Sequence, residues 1–340
     1  MTPTSRDTNE RDAMPTALVL GASGYVGGAI AAALARSGRH RVIAASRAPS
    51  RRPLQPGIEA RVCDATDAGS VRAAAAGASV IVNSVLGDRA TMLAACRNVC
   101  AAAGTSGAVR VVHISTMSVY GPATGRVEET RPLDPSDSPY GAAKVECEQV
   151  MAAFMAAGGD AVLLRPGIVH GPGGQQWTGR LGRMLRRHRL GDLGEQGDGR
   201  CNLTYIDDLG AAALAAVERP AARGEAFNVA DPEPPTWNQY LIGLGARIGG
   251  GPVGRLSARR LKLETKLLAP PLQILKLLAA RAGVAAGRLP EPIPPSLLRL
   301  FNQDMWLDHR KADQVLGFAR TPRDAAMAAS ATWFRNAHGG

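Results

Sequence analysis

The sequence predicts an α/β fold of the Rossmann type, a doubly wound parallel sheet followed by a smaller C-terminal substrate lobe. Three observations carry this expectation. Short β-rich apolar runs alternate with alanine-rich helical stretches from residue 15 to residue 170. The first apolar run ends in a glycine-rich turn that opens a helix. After residue 170 the alternation gives way to Gly- and Pro-rich loops (Gly171 to Gly174, Pro232 to Pro235). At 340 residues the chain can bury one large α/β domain or two cooperating lobes.

The elements follow in order. Residues 1–14 are polar and read as a disordered tail. Strands are expected at Ala17 to Leu20, Arg41 to Ala45, Ala60 to Cys63, Ser79 to Val82, Arg110 to Ile114 and Ala161 to Leu164, each a short run rich in apolar or β-branched residues. Helices are expected between them, from Tyr25 to Ser37, Asp67 to Ala76, Ala90 to Ala103 and Asp137 to Ala156. Residues 15–170 therefore read as the dinucleotide-binding unit. Residues 171–335 read as mainly a substrate-binding lobe, with late strands returning to the sheet. Residues 261–301 combine Leu-rich helical stretches with the proline cluster Pro290 to Pro295. They are read as an apolar lid or a membrane-surface segment, with Lys262, Lys266 and Arg281 near lipid headgroups, against the plainer alternative of a helical core.

Composition narrows the function classes. Apolar residues at 45% and charged residues at 20% suit a globular protein. Aromatics at 4% offer no stacking platform for bases, and no recognition motif accompanies the net charge of +11, so nucleic-acid binding is not expected. The densest basic cluster, with Arg183, Arg186 and Arg187, reads as a solvated face or a site for a phosphorylated ligand or anionic surface. The five cysteines form no CxxC pair; Cys96 and Cys100 read as small core residues rather than metal ligands, and no metal is expected. The free thiols, with no visible secretory signal, lead to an expected cytoplasmic setting.

The turn after the first strand is Gly21-Ala22-Ser23-Gly24-Tyr25-Val26-Gly27. Its glycines let the chain turn tightly and bring backbone N–H groups against a pyrophosphate at a helix N-terminus. The spacing is GxxGxxG, and its place between strand and helix is what gives it weight. At the end of the second strand, where a carboxylate would hold the ribose 2′-hydroxyl of NAD(H), the chain has Ser46 and Arg47, followed by Arg51 and Arg52. A guanidinium can fork onto a 2′-phosphate, so NADP(H) is preferred and NAD(H) is the alternative. Asp64, after the third strand, is placed to accept from the adenine amino group, or to serve a local cap near Thr66 or Asp67.

Tyr140 and Lys144 lie four residues apart on one helix face. A phenol with a pKa near ~10 exchanges protons poorly at neutral pH, and a nearby ammonium is expected to lower it. The fifth strand ends in Ser115-Thr116-Met117-Ser118, hydroxyls at the carboxyl end of a parallel strand, where such folds bind ligands. Thr116 or Ser118 is positioned to bond a reacting oxygen, or only to satisfy local backbone.

Together these residues resemble the extended short-chain dehydrogenase/reductase superfamily, also called the epimerase/dehydratase family. The likeness spans residues 15–320. It rests on Gly21 to Gly27, Ser115 to Gly121, Ser138-Pro139-Tyr140-Gly141 with Lys144, Leu164 to Gly173, Leu203 to Leu209, Phe227-Asn228-Val229 and Asp308 to Phe318. The resemblance implies Thr116, Tyr140 and Lys144 as the catalytic set. It implies Ala65, Ser84, Ser115, Pro166 and Ile168 as further contacts to the dinucleotide, and a homodimer through paired helices. Where many relatives carry a catalytic Asn the chain has Met92, and Asn98 matches a different position. Met117 and Ser118 stand where dehydratases carry acids, and Ile168 where nucleotide-sugar enzymes carry Asn. These departures, with the Leu- and Pro-rich stretch, are more similar to 3β-hydroxysteroid dehydrogenase-like members. The expectation is an NADP(H)-dependent oxidoreductase interconverting alcohol and ketone on a mid-sized, largely apolar substrate. The alternatives are a nucleotide-sugar 4-epimerase with tightly bound NAD and a non-catalytic NADP-sensing regulator.

Overall fold

The computed structural model describes residues 14–48, 55–105, 109–249, 252–268, 271–272, 274–275, 278 and 293–338. The polar tail, Arg51, Arg52, Arg281 and the side chains of Lys262 and Lys266 lie outside the described residues.

Seven parallel strands form one sheet in the order β10-β7-β5-β4-β1-β2-β3. They are β1 (Thr16–Leu20), β2 (Arg41–Ser46), β3 (Ile58–Val62), β4 (Val80–Asn83), β5 (Arg110–Ile114), β7 (Asp160–Pro166) and β10 (Ala226–Val229). The strand order reverses at β1, which pairs with β2 on one side and β4 on the other. In open α/β sheets the ligand crevice lies outside the carboxyl ends at such a point.

Both faces of the sheet are covered, which is why its central strands are uninterrupted apolar runs. Leu18 and Leu20 face one core with Ile43, Ile81, Cys96, Cys147 and Met151. Ala17 and Val19 face the other, with Ile30, Leu34, Val112, Leu209 and Phe227. On the first face lie α2 (Ala68–Ala74), α3 (Arg89–Thr105) and α4 (Pro139–Ala156). On the second lie α1 (Tyr25–Arg36) and α6 (Ile206–Glu218).

β5 has the predicted bounds, while β3 runs two residues earlier at its start than expected. β3 is an edge strand in which no residue is fully buried, and Val62 is 63% exposed, so its apolar pattern marks the register poorly. The helix expected from Asp67 begins at Ala68 because Asp67 is its N-cap, accepting from the Ser70 amide at 2.6 Å.

Beyond β7 the chain adds two short parallel pairs, β8 (Ile168–His170) with β9 (Leu203–Tyr205) and β6 (Gly125–Val127) with β11 (Met305–Leu307). A third core forms there around Trp237, Tyr240, Phe301 and Phe334. It takes in α5 (Leu181–Arg186), α7 (Trp237–Arg247), α8 (Ala258–Lys262), α9 (Pro295–Asn302) and α11 (Arg323–His338), while α10 (Arg310–Val315) joins the sheet-side core. In the Leu-rich segment, Leu261, Leu297 and Phe301 are buried, whereas Leu263, Leu267, Ile274, Leu275 and Leu278 are exposed. No described helix is long and apolar enough to cross a membrane.

Candidate active site

The glycine turn is a close-fitting cradle. Gly21 has φ +79°, and a Cβ there would stand 2.8 Å from the Ser84 carbonyl oxygen. A Cβ on Gly27 would stand 2.4 Å from both the Gly21 carbonyl oxygen and Ser84 Oγ. Only glycine at these points lets α1 start directly over the end of β1. Ser84 Oγ donates to the Leu20 carbonyl at 2.6 Å and so belongs to the same turn. Gly24 is the N-cap of α1 and brings no side-chain cap, which leaves backbone donors at a helix N-terminus for an anion. Tyr25 tucks beneath the Gly171–Gly174 loop, since Cβ atoms on Gly171 and Gly174 would each meet its hydroxyl at 3.1 Å. That hydroxyl is buried without a hydrogen-bond partner among the described residues, and burial pushes the phenol above its ordinary range.

At the far end of the crevice Ser46 is half-buried and Arg47 exposed. Ser46 Oγ donates to the Ala48 carbonyl at 2.6 Å. The Thr66 amide and hydroxyl donate to Asp64 Oδ1 at 2.9 and 2.7 Å. These bonds, with Arg47 nearby, hold the Asp64 carboxyl below its ordinary range. Asp64 thus has the local turn role that the sequence left open, and its second oxygen is not used by that turn. Asn98 Nδ2 donates to the Ala65 carbonyl at 3.0 Å, fixing this strand end from α3. Met92 is in the core, 3% exposed.

The end that carries Thr116, Tyr140 and Lys144 is built by β5 and α4. Thr116 is the N-cap of the 3-10 turn Met117–Tyr120, accepting from the Ser118 amide at 3.2 Å. Ser138 caps α4 through the Gly141 amide at 3.0 Å, with Pro139 in the first turn. Tyr140, Lys144 and Glu148 then fall at i, i+4 and i+8 on one helix face. Lys144 is 3% exposed, and its Nζ donates to the Ile114 carbonyl at 2.7 Å. Tyr140 is 40% exposed, and Thr116, whose hydroxyl donates to Ser118 Oγ at 3.3 Å, is near enough to act on its phenol.

The expected lowering of the Tyr140 phenol by Lys144 is not what this structure shows. Desolvation raises the phenol above its ordinary value, and Thr116 opposes this only in part. Burial likewise lowers the Lys144 ammonium, partly offset by Cys147, Cys96 and Glu148. Each group is shifted toward its neutral form, because the helix face that brings them together also removes water.

Behind this pair lies a buried polar network that the sequence reading missed. Glu148 and Arg165 are 3% and 6% exposed. Arg165 Nε donates to Glu148 Oε1 at 3.0 Å and its Nη2 to Oε2 at 2.6 Å. Ser115 Oγ donates to Glu148 Oε1 at 2.5 Å. Arg165 Nη1 reaches Tyr120 Oη at 2.8 Å, and that hydroxyl donates to Asn228 Oδ1 at 2.7 Å. The network ties α4 to the ends of β5, β7 and β10. The i+8 spacing of Glu148 from Tyr140 was the available signal.

These elements enclose a crevice of about 710 Å³. Gly24, Tyr25, Val26, Gly27, Ser84, Ser115, Thr116, Tyr140, Lys144, Pro166 and Ile168 all line it. Gly21 supports it from beneath, and Ser23, Ser46, Arg47, Asp64 and Ala65 lie outside its lining. Leu86, Met117, Trp177, Pro294, Leu297 and Leu300 add an apolar wall, with Gln175, Gln176 and Arg180 beside it. Pro294, Leu297 and Leu300 belong to the segment read as an apolar lid and Met117 to the Ser115–Gly121 run, whereas Leu86, Trp177, Gln175 and Gln176 were not singled out.

The NAD dependent epimerase/dehydratase family model matches residues 17–230. The chain is 30% identical over 252 residues to a 2-alkyl-3-oxoalkanoate reductase of Stenotrophomonas maltophilia (strain K279a), covering 68% of this chain and 75% of that protein. It is 32% identical over 234 residues to a 2'-dehydrokanamycin reductase of Streptomyces kanamyceticus, covering 65% of this chain and 63% of that one. In fold it is similar to the UDP-glucuronic acid 4-epimerase of Bacillus cereus solved with UDP-glucuronic acid and NAD. The TM-score is 0.71 at 19% identity, over 95% of this chain and 100% of that one. The glycine cradle, the uncapped helix N-terminus and the Thr-Tyr-Lys face therefore have a common explanation: this chain is an NAD(P)-dependent enzyme belonging to the epimerase/dehydratase family of the extended short-chain dehydrogenase/reductase superfamily.

Proposed function

We propose that the chain is an NADP(H)-dependent oxidoreductase that reduces the ketone of a mid-sized, largely apolar substrate. The observation that carries this reading is that Thr116, Tyr140 and Lys144 line one crevice together with the glycine turn and the apolar side chains of Trp177, Leu297 and Leu300. Gly21, Gly24 and Gly27 hold the pyrophosphate against the start of α1, and Ser46 and Arg47 take the 2′-phosphate. The bound dinucleotide supplies the hydride. Lys144, anchored on the Ile114 carbonyl, holds the ribose, and Tyr140 donates the proton to the carbonyl oxygen while Thr116 orients that oxygen. A phenol held above its ordinary pKa is protonated at neutral pH, the form a ketone reduction needs.

The two reductases named above act, by their names, on keto compounds, which favours reduction over epimerisation. Trp177, Leu297 and Leu300 suit an alkyl-bearing substrate.

Tyr140→Phe tests the assignment. Turnover of hydrophobic ketones with NADPH should fall by about 10²–10⁴-fold, while NADPH fluorescence titration stays near wild type. Unchanged turnover would reject the mechanism.

A further inference from the structure

We propose that Cys96, His113 and Cys147 form a buried site for a thiophilic d10 cation, Zn²⁺ or Cu⁺, directly behind the Tyr140–Lys144 helix face. The inference goes beyond the reductase reading and does not depend on it. The three side chains come from three elements, α3, β5 and α4, and one donor atom from each lies within 4.8 Å of the others. All three are buried, with exposures of 1%, 1% and 0%. Tetrahedral or trigonal coordination at metal–sulfur ~2.3 Å and metal–nitrogen ~2.0 Å needs donor separations of roughly 3.5–4 Å, so the widest separation has to contract by about 1 Å at most.

Two further observations point to an occupant. His113 Nδ1 makes only a 3.9 Å contact with Cys96 Sγ, and its Nε2 is buried with no hydrogen-bond partner among the described residues. A wholly buried imidazole with one nitrogen unpartnered and the other on a long contact to sulfur is costly, and coordination would replace that weak contact with a strong bond. Asn83 Nδ2 donates to Cys96 Sγ at 3.4 Å, while Asn83 Oδ1 accepts from the Val85 amide at 3.2 Å and so fixes the amide's orientation. An N–H aimed at sulfur is the outer-shell bond that holds a ligating thiolate.

Charge is consistent with this. Binding releases two thiol protons to solvent, leaving Zn²⁺ with two thiolates electrically neutral, or Cu⁺ with two thiolates singly negative beside the Lys144 ammonium. Soft sulfur with imidazole selects these ions over Mg²⁺ or Ca²⁺. Such an ion clamps α3 and α4 to β5 behind the catalytic residues.

The test uses the reduced full-length chain. One portion is produced in zinc-supplemented medium, and others are refolded anaerobically with Zn²⁺, Cu⁺ or the spectroscopic probe Cd²⁺. All are then passed over a chelator. About one ion per chain should remain, with an ultraviolet Cd²⁺–thiolate charge-transfer band, and the Zn²⁺ and Cu⁺ arms identify the preferred ion. Cys96→Ala and Cys147→Ala should lose both signals, and Cys100→Ala should keep them. Because core variants can misfold, a second readout uses wild type alone: bound Cd²⁺ should shield Cys96 and Cys147, and not Cys100, from alkylation under mild denaturant. Folded wild type that retains no ion and shows no band overturns the proposal. So does an ion whose retention survives Cys96→Ala and Cys147→Ala in folded protein, or a shielding pattern that spares Cys96 and Cys147.

Discussion

Replacing Glu148 by glutamine keeps its shape and removes one charge from the network under the helix that carries Tyr140 and Lys144. The carboxylate takes two bonds from Arg165, at 3.0 and 2.6 Å, and one from Ser115 at 2.5 Å. Both ionic partners are almost wholly buried. Removing one partner of a buried pair costs about 3–5 kcal/mol, chiefly because the other charge is left in a medium that solvates it poorly. Arg165 keeps two acceptors, the Tyr120 hydroxyl at 2.8 Å and the Glu129 carbonyl at 2.9 Å, and an amide oxygen still accepts one bond. The lower end of the range therefore applies, about 3 kcal/mol, a large share of the ~5–15 kcal/mol typical of a folded domain. Because Glu148 shares a helix face with Tyr140 and Lys144, turnover should fall even at temperatures where the variant is folded. Urea unfolding gives the stability loss, and NADPH turnover at low temperature gives the functional one. The double variant Glu148→Met with Arg165→Met should lose clearly less than the sum of the two single changes. A Glu148→Gln loss below about 1 kcal/mol, or strict additivity in the double variant, would refute the account.

Arg47→Glu should weaken NADPH binding about tenfold or more while leaving NADH binding nearly unchanged, read by parallel fluorescence titrations. Equal losses for both cofactors would remove Arg47 from the 2′-phosphate site. Gly27→Ala should weaken either cofactor by at least about tenfold and destabilise the fold by about 1–3 kcal/mol, since the new methyl meets backbone and Ser84 at 2.4 Å. A variant with wild-type affinity and melting temperature would mean that α1 can shift without cost. His170 is 2% exposed, and burial holds its imidazole pKa at about 4, against an ordinary 6.5, with Asp231 opposing only weakly. The unfolded chain takes up this proton first as pH falls. The stability His170 contributes is intact above pH 6.5 and is lost between pH 6.5 and about 4, by about 3 kcal/mol at most. Urea midpoints across that window should fall less steeply for His170→Gln than for wild type, and superimposable slopes would contradict the argument.

What the sequence disclosed, and what it did not, follows from the range of the interactions involved. The cofactor cradle is legible because its constraint is local: Gly21, Gly24 and Gly27 answer to atoms within one strand, one turn and the facing Ser84. The central strands are legible because both their faces are buried, so nearly every residue must be apolar. β3 was displaced because an edge strand lacks that requirement. The apolar wall was legible only in part: the Leu-rich stretch that holds Leu297 was read as an apolar lid, but Trp177, 120 residues earlier, looks like an ordinary core residue until the fold brings it into the same crevice. Cys96 was read as a core residue rather than a ligand, and its grouping with His113 and Cys147 was not seen, as their spacings of 17 and 34 residues match no short motif. Only the pairing of β5 with its neighbours and the packing of α3 on α4 bring them together.

The sign of the Tyr140 shift shows where helix periodicity stops being informative. A spacing of four places two side chains on one face; it does not fix where their polar ends go. Lys144 sends its ammonium inward to the Ile114 carbonyl, a bond that depends on β5 lying beneath α4. The phenol keeps Thr116 as its opposing neighbour, and desolvation governs its proton affinity. The same inward pull puts Lys144 beside Glu148 and the two cysteines, so its charge is shared with groups that never line the crevice. On the proposed mechanism, a perturbation of that buried layer, at Glu148 or by an ion on the cysteines, would reach Tyr140 through the position and charge of Lys144 rather than through contact with substrate.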